Sequence, residues 1–513
     1  MTPAIRARAE TTPDELALAD DGGSRTWAQV RDDLDRIAGA LLAVASEPAN
    51  RVSVLGDNAL ATLETHAAGL SVGVGTVATS RQLRANELID QYTDAGVVCA
   101  VTSAGSLAAV SEAAAAVGIK TVVVHGADAS ASDGTAWPEW LASAPPLPPD
   151  AGSRPPKPLL VYTSGTTGRA RGAEVRWTLE TPPTADAYIE AITAESAFPA
   201  GAHLVVGPLQ HNAPLTSLRH LLGGQPVIVL GRFDPEAVLR LIATHRVTST
   251  VLVPTHMQRL LSLPRGVRDR YDVSSLQFVS QTGSACPAET KLAMIEWFGP
   301  VFVESYGGSE SGTLCRITSP EWLLHRGSVG RPRPPYEVVV LGDDNEPLPA
   351  GQVGVLGFRA PEGRGPQYHG DADKTAKAYI APGVFTLGDV GYVDDDGFVY
   401  ITDRIADMVV SGGVNLYPAE SEKVLITHPG VAEVAVIGVP NADLGESLLA
   451  LIVPTGDPLD PSGLEDFART QLAPYKVPRA YEFRTELIYN AMGKFDKKAL
   501  RAPYWATART ITG

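Results

Sequence analysis

Val161-Tyr-Thr-Ser-Gly-Thr-Thr-Gly-Arg-Ala-Arg-Gly172 decides how the chain is read. Leu159, Leu160, Val161 and Tyr162 make a short apolar run, which predicts a buried strand. The chain then turns into Thr163, Ser164, Gly165, Thr166, Thr167 and Gly168. Small residues let backbone N–H groups crowd an anion, the hydroxyls add donors, and Arg169 and Arg171 supply charge that does not titrate away. The stretch predicts a phosphate-gripping loop. It is not of the GxxxxGK[ST] type, because no Lys-Ser/Thr follows the last glycine. Alone, a Ser/Thr/Gly loop is equally what a solvated turn looks like.

Outward from this loop, strands and helices alternate. Leu34, Ile37, Leu41 and Leu42 fall at helical spacing, Val52-Ser-Val-Leu55 reads as a strand, and Asp57 and Asn58 are cap candidates for the next helix. Residues 97–101 and 121–124 repeat the strand pattern, and residues 126–157, rich in Pro, Ser, Ala and Gly, read as a loose connection. Past the loop, 226–230, 250–253 and 275–279 are strands, with a helix over 235–245. This alternation predicts a parallel, doubly wound α/β arrangement, whose ligands gather at the carboxyl ends of strands. From Glu337 on, short alternating strands predict an all-β, barrel-like region, with Asp394-Asp-Asp-Gly397 as a hairpin turn. After Arg404 a small α+β unit is expected, with a helix near 418–427 and strands at 431–439 and 448–453.

The bounds agree. A chain of 513 residues exceeds one compact domain, and 44% apolar with 19% charged residues is an ordinary globular composition. A net charge of −16 argues against a nucleic-acid or anionic-membrane partner, though not against an anionic substrate. Cys99, Cys286 and Cys315 are too dispersed for a metal or disulfide framework and suit a reducing compartment. Residues 1–13 carry no apolar signal segment, and no run reaches membrane-spanning length, so a cytoplasmic protein without membrane insertion is expected.

Four further stretches carry chemistry: Glu304-Ser-Tyr-Gly-Gly-Ser-Glu310, Phe385-Thr-Leu-Gly-Asp389, Asp403-Arg-Ile-Ala-Asp-Met-Val-Val-Ser-Gly-Gly413 and Asn490-Ala-Met-Gly-Lys494. Each has a plain reading: Glu310 as a helix cap, Asp389 as a turn residue, Arg404 in a surface ion pair, Lys494 as a solvated lysine. Five such loops in this order and spacing do not arise from plain readings. The chain resembles the adenylate-forming (ANL) superfamily of acyl-CoA synthetases, peptide-synthetase adenylation domains and luciferases, from about Arg25 to Arg501.

The resemblance implies a large N-terminal domain, residues 1–404, of two α/β subdomains plus a β-barrel. A small mobile α+β C-terminal domain, residues 405–513, would carry the lysine. It also implies a carboxylate attacking the α-phosphorus of ATP, then transfer of the acyl group to CoA. Residues Thr163, Ser164, Gly165, Thr166, Thr167, Gly168 and Arg171 would hold the phosphates. Tyr306 and the adjoining Gly307 would meet adenine, with Gly283, Ser284 and Ala285 on its other side. Ser309 would contact the α-phosphate and Glu310 hold Mg²⁺. Asp389 would accept the ribose hydroxyls and Arg404 reach ribose or phosphate, while Lys494 bridges carboxylate and phosphate. Gly412 and Gly413 would line the CoA tunnel. The expected partners are a small carboxylic acid, ATP, Mg²⁺ and CoA, with a second copy of the chain in a homodimer.

The chain departs from the family wording at Ala170, Arg171, Ser309 and Leu387, and at Ala406, a hinge position where relatives mostly carry Asp or Lys. Gly207-Pro-Leu-Gln-His-Asn-Ala-Pro214 corresponds to the acid side of the site. It has no carboxylate to pair an ammonium, so an α-amino acid is not expected. Its wording resembles synthetases for bulky, often polycyclic acids. His211 reads either as a gate over the carboxylate or as a core histidine. The activity expected is activation of an apolar, bulky acid and its ligation to CoA; the alternative is adenylation that hands acyl-AMP to another protein.

Overall fold

The computed structural model describes residues 2–55, 57–126, 134–163, 171–175, 177–178, 181–342, 344–361, 365–367, 372–404, 407–411, 414–441, 443–456, 459–489 and 495–506. Two compact units are present, one of Met1–Arg326 with Pro361–Ala378, the other of Gly327–Ala360 with Tyr379–Gly513.

The first unit holds two sheets. One runs, edge to edge, Thr135–Ala136, Thr121–His125, Val97–Ser103, Arg51–Leu55, Gly75–Thr79, Leu160–Thr163, Arg171–Glu174. All its pairs are parallel except the last, a hairpin that opposes Thr163 to Arg171. The other sheet has a parallel centre, Phe302–Gly308, Phe278–Gln281, Ser249–Leu252, His203–Val205, Val227–Val229 and Leu16–Asp20, with antiparallel pairs at Gly312–Thr318 and Gly23–Thr26. Parallel strands are covered on both faces, which is why Val-Ile-Val and Val-Ser-Val-Leu runs serve here. One apolar core joins the sheets, drawing on Leu18, Val52, Val161, Val205 and Val227.

Local chemistry sets the helix ends. Thr26 and Gln29 form a reciprocal capping box at the start of Trp27–Val44. Asp234 accepts from Ala237 N at 2.7 Å ahead of Pro235–His245, the predicted bounds. The expected cap of the helix Leu60–Ser71 is corrected: Ala59 holds the cap position with no side-chain bond, and Asp20 Oδ2 from the neighbouring sheet takes the Leu60 N–H at 3.0 Å. The strand expected at 275–279 lies at Phe278–Gln281, because Ser275 turns back to Val247 O. The connection at 126–157 is also less loose than read, holding Thr135–Ala136, the helix Trp137–Ala142 and a short 3₁₀ turn.

In the second unit the all-β region is an antiparallel sheet ordered Glu337–Leu341, Gly354–Arg359, Val384–Val393, Val399–Arg404, Ser328–Pro332. Asp394 Oδ1 accepts from Asp396 N and Phe398 N, and Gly397 at φ 82° closes the expected hairpin. The α+β part pairs Val431–Asn441 with Gly445–Pro454 along their length, and adds Ala480–Phe483 and Val409–Ser411. Helices pack on both faces: Pro418–Leu425 and Pro461–Arg469 on one, Lys497–Ala506 on the other.

Candidate active site

In the first unit two neighbouring parallel strands carry the expected adenine side. Phe278–Gln281 runs into exposed Gly283, Ser284 and Ala285, with Gly283 at φ 95°, where a side chain would strain the backbone. Phe302–Gly308 delivers Tyr306 and Gly307 beside them. Thr282 Oγ1 donates to Ser305 O at 3.1 Å, tying the two strand ends together. A Cβ on Gly307 would stand 1.9 Å from Gly312 O, so the close return of the next strand demands glycine here. Ser309 and Glu310 occupy the turn into Gly312–Thr318, half-buried. The Glu310 carboxylate lies over Gly308, 2.8 Å from where a Cβ there would stand, and Gly308 N donates to Ser311 Oγ at 3.0 Å.

Beneath this arrangement lies a pair that the motif reading passed over. Lys291, on the helix Ala288–Phe298 that follows the adenine loop, is 1% exposed and sets Nζ 2.5 Å from Glu304 Oε2 and 4.7 Å above the Trp322 ring. Burial pushes the Lys291 pKa down, and Glu304 opposes that. Burial first, then Glu304, lifts the nearby Cys286 thiol to about 12, leaving it protonated. A lysine at an apolar helical spacing was the one sequence signal for this pair.

On the acid side, Gly207 to Pro214 leaves the carboxyl end of His203–Val205. His211 is half-buried and extended at φ −113°; its N–H donates to Pro208 O at 3.1 Å and its carbonyl accepts from Leu215 N at 3.2 Å. His211 holds the cap position ahead of the short helix Asn212–Leu215. Trp177 Nε1 donates to Asn212 Oδ1 at 3.3 Å, and Phe233 stacks on His256 with centroids 4.6 Å apart. Thr163 ends its strand opposite Arg171 in register; Ser164, Gly165, Thr166, Thr167 and Gly168 lie outside the described residues.

In the second unit Asp389 and Arg404 face each other across paired strands, Oδ1 to Nε at 3.1 Å. The Asp389 side chain is 5% exposed and that of Arg404 61%, so the carboxylate is held and the guanidinium reaches solvent. Next to them Asp403 accepts from Arg404 N at 2.7 Å and Ala419 N at 2.9 Å, while burial lifts its pKa to about 6. Lys497 pairs with Glu422 at 2.8 Å; burial would lower its pKa, but Glu422, Asp403 and Asp407 together raise it. Ala406, Gly412, Gly413 and Lys494 lie outside the described residues. Among the described residues no helix is long and apolar enough to cross a membrane, and no cluster of three or more His, Cys, Asp or Glu could hold a metal.

A parallel α/β unit whose strand ends carry the loops expected to meet adenine and acid, and a second unit with a buried carboxylate, are what the adenylate-forming reading calls for. Residues 5–365 match the family described as AMP-binding enzyme and residues 420–494 the AMP-binding enzyme C-terminal domain, so the chain belongs to this family, the ANL superfamily with its acyl-CoA synthetases. As such it is an AMP-forming acid–thiol ligase, joining a carboxylic acid to CoA through an acyl-adenylate made from ATP. It is 33% identical over 498 residues to a feruloyl-CoA synthase of Amycolatopsis sp, covering 96% of this chain and 97% of that protein. It is 32% identical over 517 residues to the 3-[(3aS,4S,7aS)-7a-methyl-1,5-dioxo-octahydro-1H-inden-4-yl]propanoyl:CoA ligase of Mycobacterium tuberculosis, covering 95% and 96%. The amide bond synthetase McbA from Marinactinospora thermotolerans superposes with a TM-score of 0.82 at 27% identity, covering 98% of this chain and 100% of that one.

Proposed function

We propose that the acid activated is apolar and bulky, carrying a ring system. One observation carries this reading: the acid-side loop has no carboxylate for an ammonium, is bonded by Trp177 at Asn212, and at Gly207 has His256, itself stacked on Phe233, 3.8 Å from where a Cβ would stand. The two relatives named for ring-bearing acids, feruloyl and the bicyclic propanoyl, support it.

In this reading Tyr306 stacks on adenine opposite Gly283, Ser284 and Ala285, and Asp389 accepts both ribose hydroxyls, a task for a two-oxygen acceptor. Thr163 and Arg171 flank the loop that grips the β- and γ-phosphates; Arg404 reaches ribose or phosphate. Two anions must meet, so oriented donors and cations make up the machinery. Ser309 contacts the α-phosphate, His211 screens the carboxylate, and Lys494 bridges the two as charge moves. Mg²⁺ fits Glu310, because this ion takes one or two protein carboxylates and completes its shell with phosphates and water; there it would neutralise phosphate charge. Residues 405–513 form the swinging domain, with Gly412 and Gly413 lining the thiol's approach.

The test is acid-dependent exchange of pyrophosphate into ATP over aliphatic, aromatic, polycyclic and α-amino acids. Ring-bearing acids are expected to lead, and a best substrate among the amino acids would overturn the reading.

A second reading concerns the acceptor, and likeness to an amide bond synthetase favours it. A hinge residue absorbs a large backbone change, and Ala406 offers no charged head to solvent in either state. A bias of about 1.4 kcal/mol toward the adenylating state would cut the thioester-forming population tenfold, so that acyl-AMP accumulates for another acceptor. Pyrophosphate release and thioester yield are compared for the wild type and Ala406→Asp. Faster thioester formation in Ala406→Asp is expected; equal wild-type rates for the two steps would remove this reading.

A further inference from the structure

Asn58 does not cap the helix it precedes. Its amide instead makes three bonds to the other sheet: Nδ2 donates to Gly207 O at 2.9 Å and Leu230 O at 3.0 Å, and Oδ1 accepts from Leu209 N at 2.8 Å. Gly207 and Leu230 follow the adjacent parallel strands His203–Val205 and Val227–Val229, which are in register at Val205 and Val229. The side chain therefore staples two strand ends and grips the acid-side loop on both sides of Pro208.

The backbone that presents Asn58 belongs to the first sheet, just past the carboxyl end of Arg51–Leu55. Leu160–Thr163, the strand that leads into the phosphate loop, lies two places along in the same parallel sheet and so points its carboxyl end the same way. Residues on either side hold Asn58 in place. Asp57 pairs with Arg81, Asp57 O accepts from Thr62 Oγ1 at 3.0 Å, and Leu60 N is held by Asp20. A primary amide is what this position needs, since it donates twice and accepts once in nearly one plane; a carboxylate cannot donate at all.

We propose that Asn58 is a positioning residue for adenylation, fixing the acid-side loop of one sheet against the phosphate-loop strand of the other. The acid's carboxylate is thereby set at attacking distance from the α-phosphate. This rests on residues 207–214 being the acid side of the site. Near-attack geometry is demanding, and a displacement of about 1 Å costs on the order of a hundredfold.

The experiment is acid-dependent pyrophosphate exchange for Asn58→Ala, Asn58→Asp and His211→Ala in the full chain, with thermal unfolding measured alongside. Both Asn58 variants are expected to lose about ten- to a hundredfold in kcat/KM for the acid, to change their ranking among acids of different bulk, and to keep the wild-type KM for ATP. Should Asn58→Ala fail to fold, Asn58→Ser carries the same comparison. Equal rises in KM for ATP and acid, or lowered unfolding temperature with unchanged kinetics, would overturn the positioning role. An acid effect in His211→Ala without one at Asn58 removes the clamp alone. No acid effect in His211→Ala, with or without one at Asn58, removes the loop assignment on which the proposal stands.

Discussion

Replacing Asp389 by alanine separates ATP binding from stability, because its two kinds of partner differ. Arg404, its partner across the paired strands, is 61% exposed, and an ion pair with one end in water contributes at most about 1 kcal/mol to folding. The proposed partners, the ribose hydroxyls, meet a carboxylate that is 5% exposed, where an unmade hydrogen bond costs about 1–3 kcal/mol. That loss raises KM for ATP by about 5- to 150-fold. Asp389→Asn keeps one accepting oxygen in the same volume, so its rise falls between the wild type and Asp389→Ala. Pyrophosphate exchange at saturating acid and varied ATP gives the constant, and denaturant unfolding gives the stability. The reasoning is refuted if KM for ATP stays put while the preference among acids changes, or if the variant's whole deficit follows lost folded protein.

The remaining outcomes concern other parts of the chain. Lys494→Ala is expected to lower adenylation by about 10²–10³-fold, as for loss of one preorganised donor, and to spare thioester formation from supplied acyl-AMP; equal losses in both steps would refute its assignment. Lys291→Met leaves Glu304 buried without its cation and should cost about 3–5 kcal/mol in denaturant unfolding followed by tryptophan fluorescence, with much of it recovered in Lys291→Met/Glu304→Gln; an additive double variant would show that the pair is not coupled. Glu64, fully buried on Leu60–Ser71 with Oε1 unbonded, has its pKa lifted from 4.5 to about 8 by burial first, then Asp33 against Arg25, then Asp20. A raised folded-state pKa means its stabilisation is complete below 4.5 and is lost as pH climbs through 8. Glu64→Gln should therefore gain on the wild type by about 3 kcal/mol between pH 5 and pH 7–8; a gap independent of pH would sink this account.

Periodicity alone located several of the parallel strands, because a strand covered on both faces must be a continuous apolar run, and Val52-Ser-Val-Leu55 or Val227-Ile-Val229 has few other uses; Gly75–Thr79 and His203–Val205, shorter in apolar residues, escaped it. It also placed Pro235–His245, whose cap and proline are local signals, and the Asp394 hairpin, whose turn needs only its own residues. The motif wording brought the adenine-side residues and Asp389 to notice, since glycines and a hydroxyl at fixed spacing survive translation into sequence. Distant pairings could not be read this way. Asn58 looked like a helix cap because local sequence offers it that role, whereas the carbonyls of Gly207 and Leu230 stand 149 and 172 residues away and reach it only once two sheets meet. Lys291 carries no motif, and only the packing of Ala288–Phe298 against Phe302–Gly308 and Ser319–Leu324 gives it Glu304 and Trp322. A hydrogen bond within one turn is written in neighbouring residues; one that closes a loop of a hundred residues or more depends on which layers pack together, and that is settled by burial over the whole unit.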